Sequence, residues 1–139
     1  MKNSNKILIG GAALVALGSS RSTKDTDYLI CDEGDSRTFI HDTEDVDYIN
    51  AAASEFFGKI WANEVGNEIA SPQSLLELKA YAFVQHCLNF NFQKANEAEF
   101  DMKFLVLEFG LSEVKIVNGF VSAGELHEVN KVIKAAKRN

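Results

Sequence analysis

The first half of the chain alternates short apolar runs with polar turns, which is the pattern of a small β-sheet. Residues 12–17, mostly good helix formers closed by Gly18-Ser19-Ser20, predict a short helix between the first two runs. Polar clusters at residues 32–36 and 42–44 predict turns. The predicted strands are residues 6–9, 26–31, 38–41 and 46–49.

The second half has the longer periodicities of helices. Residues 51–64 predict one helix, and Ser71 followed by Pro72 marks the start of another that continues to about residue 88. Two further helices are predicted, residues 100–109 before Gly110 and the amphipathic residues 123–137. No linker or repeat interrupts the pattern, so we expect a single α+β domain over residues 1–139. It would have a small mixed sheet with a short N-terminal helix, followed by a helical C-terminal half.

Composition places the chain among globular proteins. It has 139 residues, of which 46% are hydrophobic and 24% charged. The net charge of -6 argues against a large non-specific nucleic-acid interface, although the basic C-terminal residues leave a local basic face open. Cys31 and Cys87 match no metal-binding spacing, so we interpret them as reduced, buried thiols of a cytoplasmic protein.

The N-terminus has an alternative interpretation. Lys2 and Lys6 flank the start of the apolar residues 7–17, which resemble the charged and apolar regions of a signal peptide. This run is too short to span a bilayer, and Gly10-Gly11 interrupts it where a strand would pass into a helix. We therefore favour a cytoplasmic protein and expect no membrane partner.

The strongest chemical signal is a double glycine followed by paired aspartates. Asp25 and Asp27 are two residues apart, so in an extended segment they would share one face and repel each other unless a cation lay between them. Carboxylates are hard ligands that suit Mg²⁺ or Mn²⁺. Gly10 and Gly11 would let a triphosphate approach the backbone at the start of the following helix. The pattern predicts a site for a metal and a nucleotide.

A third carboxylate would complete such a site. Asp47 fits best, because Val46 and Tyr48 flank it and direct it to one strand face. It would act with the metal-binding aspartates and assist as a general base. Asp42 and Asp45 lie in the same acidic stretch and remain competitors for this role.

These residues carry a family resemblance. Ile9-Gly10-Gly11, thirteen intervening residues and then Asp25-Thr26-Asp27-Tyr28 resemble the signature of the polymerase-beta-like nucleotidyltransferase superfamily. The positions of Gly18, Arg21 and Thr23 are similar to the AbiEii-type toxin and minimal nucleotidyltransferase branches. The resemblance extends over roughly residues 6–105 and departs from the pattern at Thr26, where an apolar residue is usual.

The resemblance implies a function and further site residues. The protein would transfer a nucleotidyl group from a nucleoside triphosphate, with Mg²⁺ (or Mn²⁺), to a hydroxyl of an RNA or protein acceptor. Arg21, Thr23 and Lys79 would join Gly10 and Gly11 in binding the nucleotide. In the helical half, Lys79, Lys94 and Asp101 are the positions that match the family. The alternative is a catalytically inactive nucleotide-binding or interaction module, such as an antitoxin or regulatory subunit.

Each of these features also has a purely structural interpretation. Asp25 and Asp27 would then be a solvated strand start that Arg21 neutralises, and Lys79 would lie on a solvated helix face. His41 and His86 are interpreted as structural histidines rather than ligands.

Overall fold

The computed structural model describes residues 5–137 and confirms an α+β fold. The chain divides into two compact units, Met1–Ser74 and Leu75–Asn139. Within the described residues no helix is long and apolar enough to cross a membrane. The elements in chain order are β1 (Ile7–Ile9), α1 (Gly10–Ala16), β2 (Thr26–Ile30), β3 (Phe39–Thr43), β4 (Val46–Asn50), α2 (Glu55–Glu64), α3 (Pro72–Leu88), α4 (Phe92–Phe109) and α5 (Ala123–Lys137).

The strands of residues 5–137 form one mixed sheet in the order β1-β2-β4-β3. β2 and β4 are parallel, whereas β1 and β3 are antiparallel to their neighbours. Paired residues on adjacent strands project to the same face of a sheet. The register therefore gives two rows of side chains on one face of the sheet. The apolar row is Ile7, Leu29, Ile49 and Phe39. The second row, which is polar except at Ile9, is Ile9, Asp27, Asp47 and His41.

The β1 and β2 residues of the apolar row lie in the core of the first unit, whereas Phe39 at the other end of the row is 69% exposed. Ile7 and Leu29 are fully buried, as is Phe56 of α2 at 2% exposure. Phe39 packs edge-to-face on Phe57 with ring centroids 6.0 Å apart, which joins β3 to α2. Helix α2 begins at the cap residue Ser54. Helix α2 thus packs, through Phe57 on Phe39, against the face that also carries Asp27 and Asp47.

Two buried polar side chains stabilise the connections of this unit. Asn50 at the end of β4 accepts hydrogen bonds from the amides of Asp32 and Ala52, and donates to the carbonyls of Asp32 and Asp35. Glu64, the last residue of α2, accepts from Ser71 and Ser74 at the start of α3 and from Asn67 between the two helices. All the polar atoms of the Asn50 amide are therefore used, which fixes the loop that precedes β3.

The second unit contains most of α3 together with α4 and α5. Its core includes the fully buried Leu76, Met102 and Leu105. Glu77 is 1% exposed, and its carboxylate accepts hydrogen bonds from the amides of Lys115, Ile116 and Val117. This buried carboxylate joins α3 to the segment between α4 and α5.

Several predicted boundaries were wrong. The third strand is Phe39–Thr43 rather than residues 38–41, and the turn after it is Glu44–Asp45 rather than residues 42–44. The helix predicted at residues 100–109 begins at Phe92, because the Asn91 side chain caps it by accepting from the amide of Lys94. Polar residues in its first turns had hidden that start.

The predictions for the cysteines were right in one respect and wrong in another. Both thiols are free, as expected, but neither is buried: Cys31 is exposed and Cys87 is half-buried. Cys31 directly follows β2 and lies outside the strand, which explains its exposure. Partial burial, together with the charges of Glu33 and Asp32, raises the pKa of the Cys31 thiol.

Candidate functional site

The site predicted from the sequence lies at one edge of the sheet. β1 ends there at Ile9, and the parallel strands β2 and β4 both begin there. The amide of Thr26 donates to the carbonyl of Asp45 over 2.7 Å, which aligns the starts of β2 and β4. The glycines that follow β1 are therefore brought next to Asp27 of β2, and Asp47 of β4 lies one strand further along.

Asp27 and Asp47 are direct neighbours in this arrangement. The two residues pair in the register of β2 and β4 and are on the same face of the sheet. The following pair, Tyr28 and Tyr48, is on the opposite face with stacked rings whose centroids are 5.9 Å apart. The register therefore directs Asp47 toward Asp27, as the alternation of the sequence predicts. Asp42 lies at the irregularity in β3, and Asp45 is in the turn.

His41 extends this row by one strand. It pairs with Asp47 across β3 and β4, and its Nδ1 is 2.6 Å from Oδ1 of Asp47. The sequence interpretation treated His41 as a structural residue and missed this contact. The missing signal was the irregularity in β3, because a regular hairpin closed by Glu44–Asp45 would pair Asp42 with Asp47, and only the register shift between His41 and Thr43 moves His41 into that position.

Gly10 leaves the space that Asp27 occupies. Its φ is +70°, a conformation that side chains rarely adopt, and a Cβ atom there would be 2.5 Å from Oδ2 of Asp27. The Asp27 carboxylate thus lies directly against the first residue of α1. Glycine is required at this position both by its backbone angle and by the approach of the carboxylate.

Gly11 has a comparable role toward Arg21 and Thr23. A Cβ on Gly11 would collide with Nη1 of Arg21 and would be 2.9 Å from Oγ1 of Thr23. The loop between α1 and β2 therefore brings a guanidinium and a hydroxyl to the glycine turn. Because α1 has only seven residues, these side chains, rather than the helix dipole, would be the main donors to any anion at the turn.

Asp25 lies just before β2 rather than within it. β2 begins at Thr26, so Asp25 is exposed in the loop and the strand does not fix its direction. Oγ1 of Thr23 donates to its backbone carbonyl over 3.2 Å, a contact that shapes the loop and does not involve the carboxylate. That Asp25 shares a face with Asp27 therefore stays a prediction.

Lys79 and Asp101 form an ion pair within the second unit. Lys79 Nζ is 3.0 Å from Oδ2 of Asp101, and the Asp101 side chain is 1% exposed. Two of the positions that match the family in the helical half are thus in contact with each other. Lys94, the third, is exposed in the first turn of α4.

The donor set can be compared with what a magnesium ion needs. In the part of the chain that the structure describes, no three His, Cys, Asp or Glu side chains are arranged to hold a metal ion. Mg²⁺ in nucleotide sites is commonly held by one or two carboxylates, with phosphate oxygens and water as the other ligands. Asp27 and Asp47 supply two such carboxylates on adjacent strands. This pair fits a magnesium ion that arrives with a nucleotide.

Comparisons of the chain with protein-family models, with curated proteins and with solved structures found no match.

Proposed function

We propose that this protein is a Mg²⁺-dependent nucleotidyltransferase that uses a nucleoside triphosphate and a hydroxyl acceptor on RNA or protein. One observation carries the proposal: the sheet register brings Asp27 and Asp47 side by side, and the Gly10 backbone is shaped around the Asp27 carboxylate. Two adjacent carboxylates beside a glycine turn with an arginine suit a metal-bound triphosphate.

The residues take distinct roles in this proposal. Asp27 and Asp47 would hold the metal, with Asp25 joining from its loop. Arg21 and Thr23, which lie against Gly11, would bind phosphate oxygens by charge-assisted and neutral hydrogen bonds. A role of Lys79 in nucleotide binding rests on the family resemblance alone; the contact of its ammonium group with Asp101 lies within the second unit.

The reaction is an in-line displacement at the α-phosphorus. The acceptor oxygen forms a new bond to phosphorus while the bond to the bridging oxygen breaks and pyrophosphate leaves. Asp47 would assist removal of the hydroxyl proton. The metal, when bound, neutralises phosphate charge and lowers the pKa of the attacking hydroxyl.

A second candidate is a nucleotide-binding module without turnover. The position of Asp25 favours it, since that residue lies outside β2 and only two of the three expected carboxylates are fixed by strands. Such a protein would still bind the nucleotide with Mg²⁺ and would release no pyrophosphate.

The test combines binding and turnover in a series of aspartate variants. Nucleotide binding is measured by calorimetry with each triphosphate and Mg²⁺, and turnover by pyrophosphate release in the presence of total RNA or lysate. Asp27→Asn and Asp47→Asn should each weaken binding at least 10-fold, because each removes a metal-binding charge. Asp45→Asn, the same charge change in the exposed adjoining turn, is the control and should bind normally.

The outcomes separate the two candidates. Binding with pyrophosphate release identifies an enzyme, whereas binding without release identifies the inactive module. Binding that is equal in wild type, Asp27→Asn and Asp47→Asn would refute the metal site altogether.

A further inference from the structure

We infer that His41 is a positioning residue that holds the carboxylate of Asp47 in the orientation needed for metal binding. This inference rests on the proposed function and adds a residue that the family pattern does not include. The observation behind it is the 2.6 Å contact between His41 Nδ1 and Asp47 Oδ1. His41 would act through Asp47 and would not itself contact the metal.

The chemistry of the two groups fixes the direction of the hydrogen bond. An ionised carboxylate only accepts hydrogen bonds, so the hydrogen must be on Nδ1 of His41. The bond occupies Oδ1 of Asp47 and leaves Oδ2 as the oxygen for a metal. Carboxylates that bind metals are commonly oriented by such an outer hydrogen bond, whose loss costs about 10–100-fold in metal affinity.

The backbone explains why His41 is in this position. β3 and β4 are antiparallel and joined by a two-residue turn, and His41 is the direct partner of Asp47. The register shifts between His41 and Thr43; without that shift, continuation from the Thr43–Val46 pair would place Asp42 opposite Asp47. The irregularity at Asp42 therefore brings His41 to Asp47.

Exposure separates this positioning role from a role in stability. The side chains of His41 and Asp47 are 65% and 42% exposed. Hydrogen-bonded charged pairs this exposed contribute little to folding. Removal of the imidazole should therefore leave the protein folded, and a change in metal binding would report on the position of Asp47 alone.

The experiment uses the full-length protein and Mn²⁺ as the probe. Free Mn²⁺ is followed by electron paramagnetic resonance in the presence of a non-hydrolysable nucleoside triphosphate analogue. We expect His41→Ala to weaken Mn²⁺ binding about 10-fold, the lower end of the usual range for an exposed contact. His41→Asn, whose amide nitrogen can occupy the position of Nδ1, should retain most of the affinity. His127→Ala, a change of an exposed histidine on α5, is the control.

A second measurement reports the hydrogen bond without a metal. Nitrogen-15 NMR of the neutral His41 ring should show the hydrogen on Nδ1, and Asp47→Asn should change that signal. If His41→Ala binds Mn²⁺ as tightly as the wild type, or if the neutral His41 ring carries its hydrogen on Nε2, the inference is wrong and the proposed function is unaffected. A wild-type protein that binds no Mn²⁺ would instead overturn both.

Discussion

Gly10 and Gly11 are adjacent in sequence, yet a methyl group at each would meet a different obstacle. At Gly10 it would face both a positive φ and the Asp27 carboxylate, which belongs to a strand. At Gly11 it would meet the end of the Arg21 side chain and Oγ1 of Thr23, two side chains of the loop between α1 and β2. The first position is therefore constrained by the backbone, and the second by these side chains.

This difference predicts that an alanine at Gly10 mainly lowers stability, whereas an alanine at Gly11 mainly lowers nucleotide affinity. Gly10→Ala should lower the free energy of unfolding by about 1–2 kcal/mol, the usual cost of a left-handed conformation. Gly11→Ala should change stability by less than about 1 kcal/mol, because alanine also favours the helix. Gly11→Ala should also displace the Arg21 guanidinium. Nucleotide binding should then weaken about 10-fold, which is equivalent to the loss of one charge-assisted hydrogen bond.

Thermal unfolding and calorimetry on the same preparations would measure both quantities. Gly124→Ala on α5, where a methyl group meets no atom within 4 Å, is the control for helix propensity. Normal nucleotide affinity in Gly11→Ala would contradict a role of Arg21 in binding.

At the residue scale, the sequence predicts the direction of a side chain only where the residue is part of a strand. The alternation Val46-Asp47-Tyr48 predicts that Asp47 projects toward β2, and the register confirms this geometry. The same argument does not apply to Asp25, because Asp25 lies in a loop where Thr23 Oγ1 donates a hydrogen bond to its backbone carbonyl. The Asp47–His41 contact depends on the pairing of two strands, which no local pattern reveals.

At the scale of elements, buried carboxylates determine which segments are joined. Glu77 of α3 accepts the amide of Lys115 over 2.6 Å, and those of Ile116 and Val117 over 3.0 and 2.9 Å. A sequence pattern identifies the helix but cannot show that one glutamate in it binds a segment 38 to 40 residues further along.

We expect Glu77→Gln to destabilise the protein by about 2–3 kcal/mol. The amide replaces one acceptor oxygen with a donor, so that at least one of the amides of residues 115–117 would lose its partner in a buried environment. Chemical denaturation would measure the loss, and hydrogen exchange should be accelerated at Lys115, Ile116 and Val117. Glu108→Gln, an exposed change near the end of α4, is the control. Unaltered exchange at these amides would show that Glu77 does not hold the segment.

Element types were more predictable than their ends. The helix Ala123–Lys137 matches its predicted bounds, because an amphipathic pattern extends over its whole length. The start of α4 was missed by eight residues, since Asn91 caps a first turn that is largely polar. A helix boundary that depends on a single capping contact cannot be located from hydrophobic periodicity alone.

At the scale of the whole molecule, the net charge of -6 reflects an excess of acidic side chains, so acid protonates many groups and stability as a function of pH shows which of them matter. Most acidic side chains are on the surface, where protonation changes stability little. Glu64 differs because it is 3% exposed. Burial alone would raise the pKa of Glu64, but hydrogen bonds from Ser71, Ser74 and Asn67 outweigh this effect and hold the pKa below its usual value. The folded state thus favours the ionised form.

The sign of the pH dependence follows from this lowered pKa. The contribution of Glu64 to stability is fully present above the pKa of an unfolded glutamate, near 4.5, and is lost as the pH falls through the lower value of the folded state. Glu64→Gln should therefore be less stable than wild type by about 1–3 kcal/mol at pH 7, the usual worth of hydrogen bonds to a charged group. The two proteins should converge in stability as the pH falls through the lowered pKa of folded Glu64. Denaturation curves between pH 3 and 7 would measure this, with exposed Glu68→Gln as the matched control. A difference that stays constant across this range would show that the ionised carboxylate is not the source of the stabilisation.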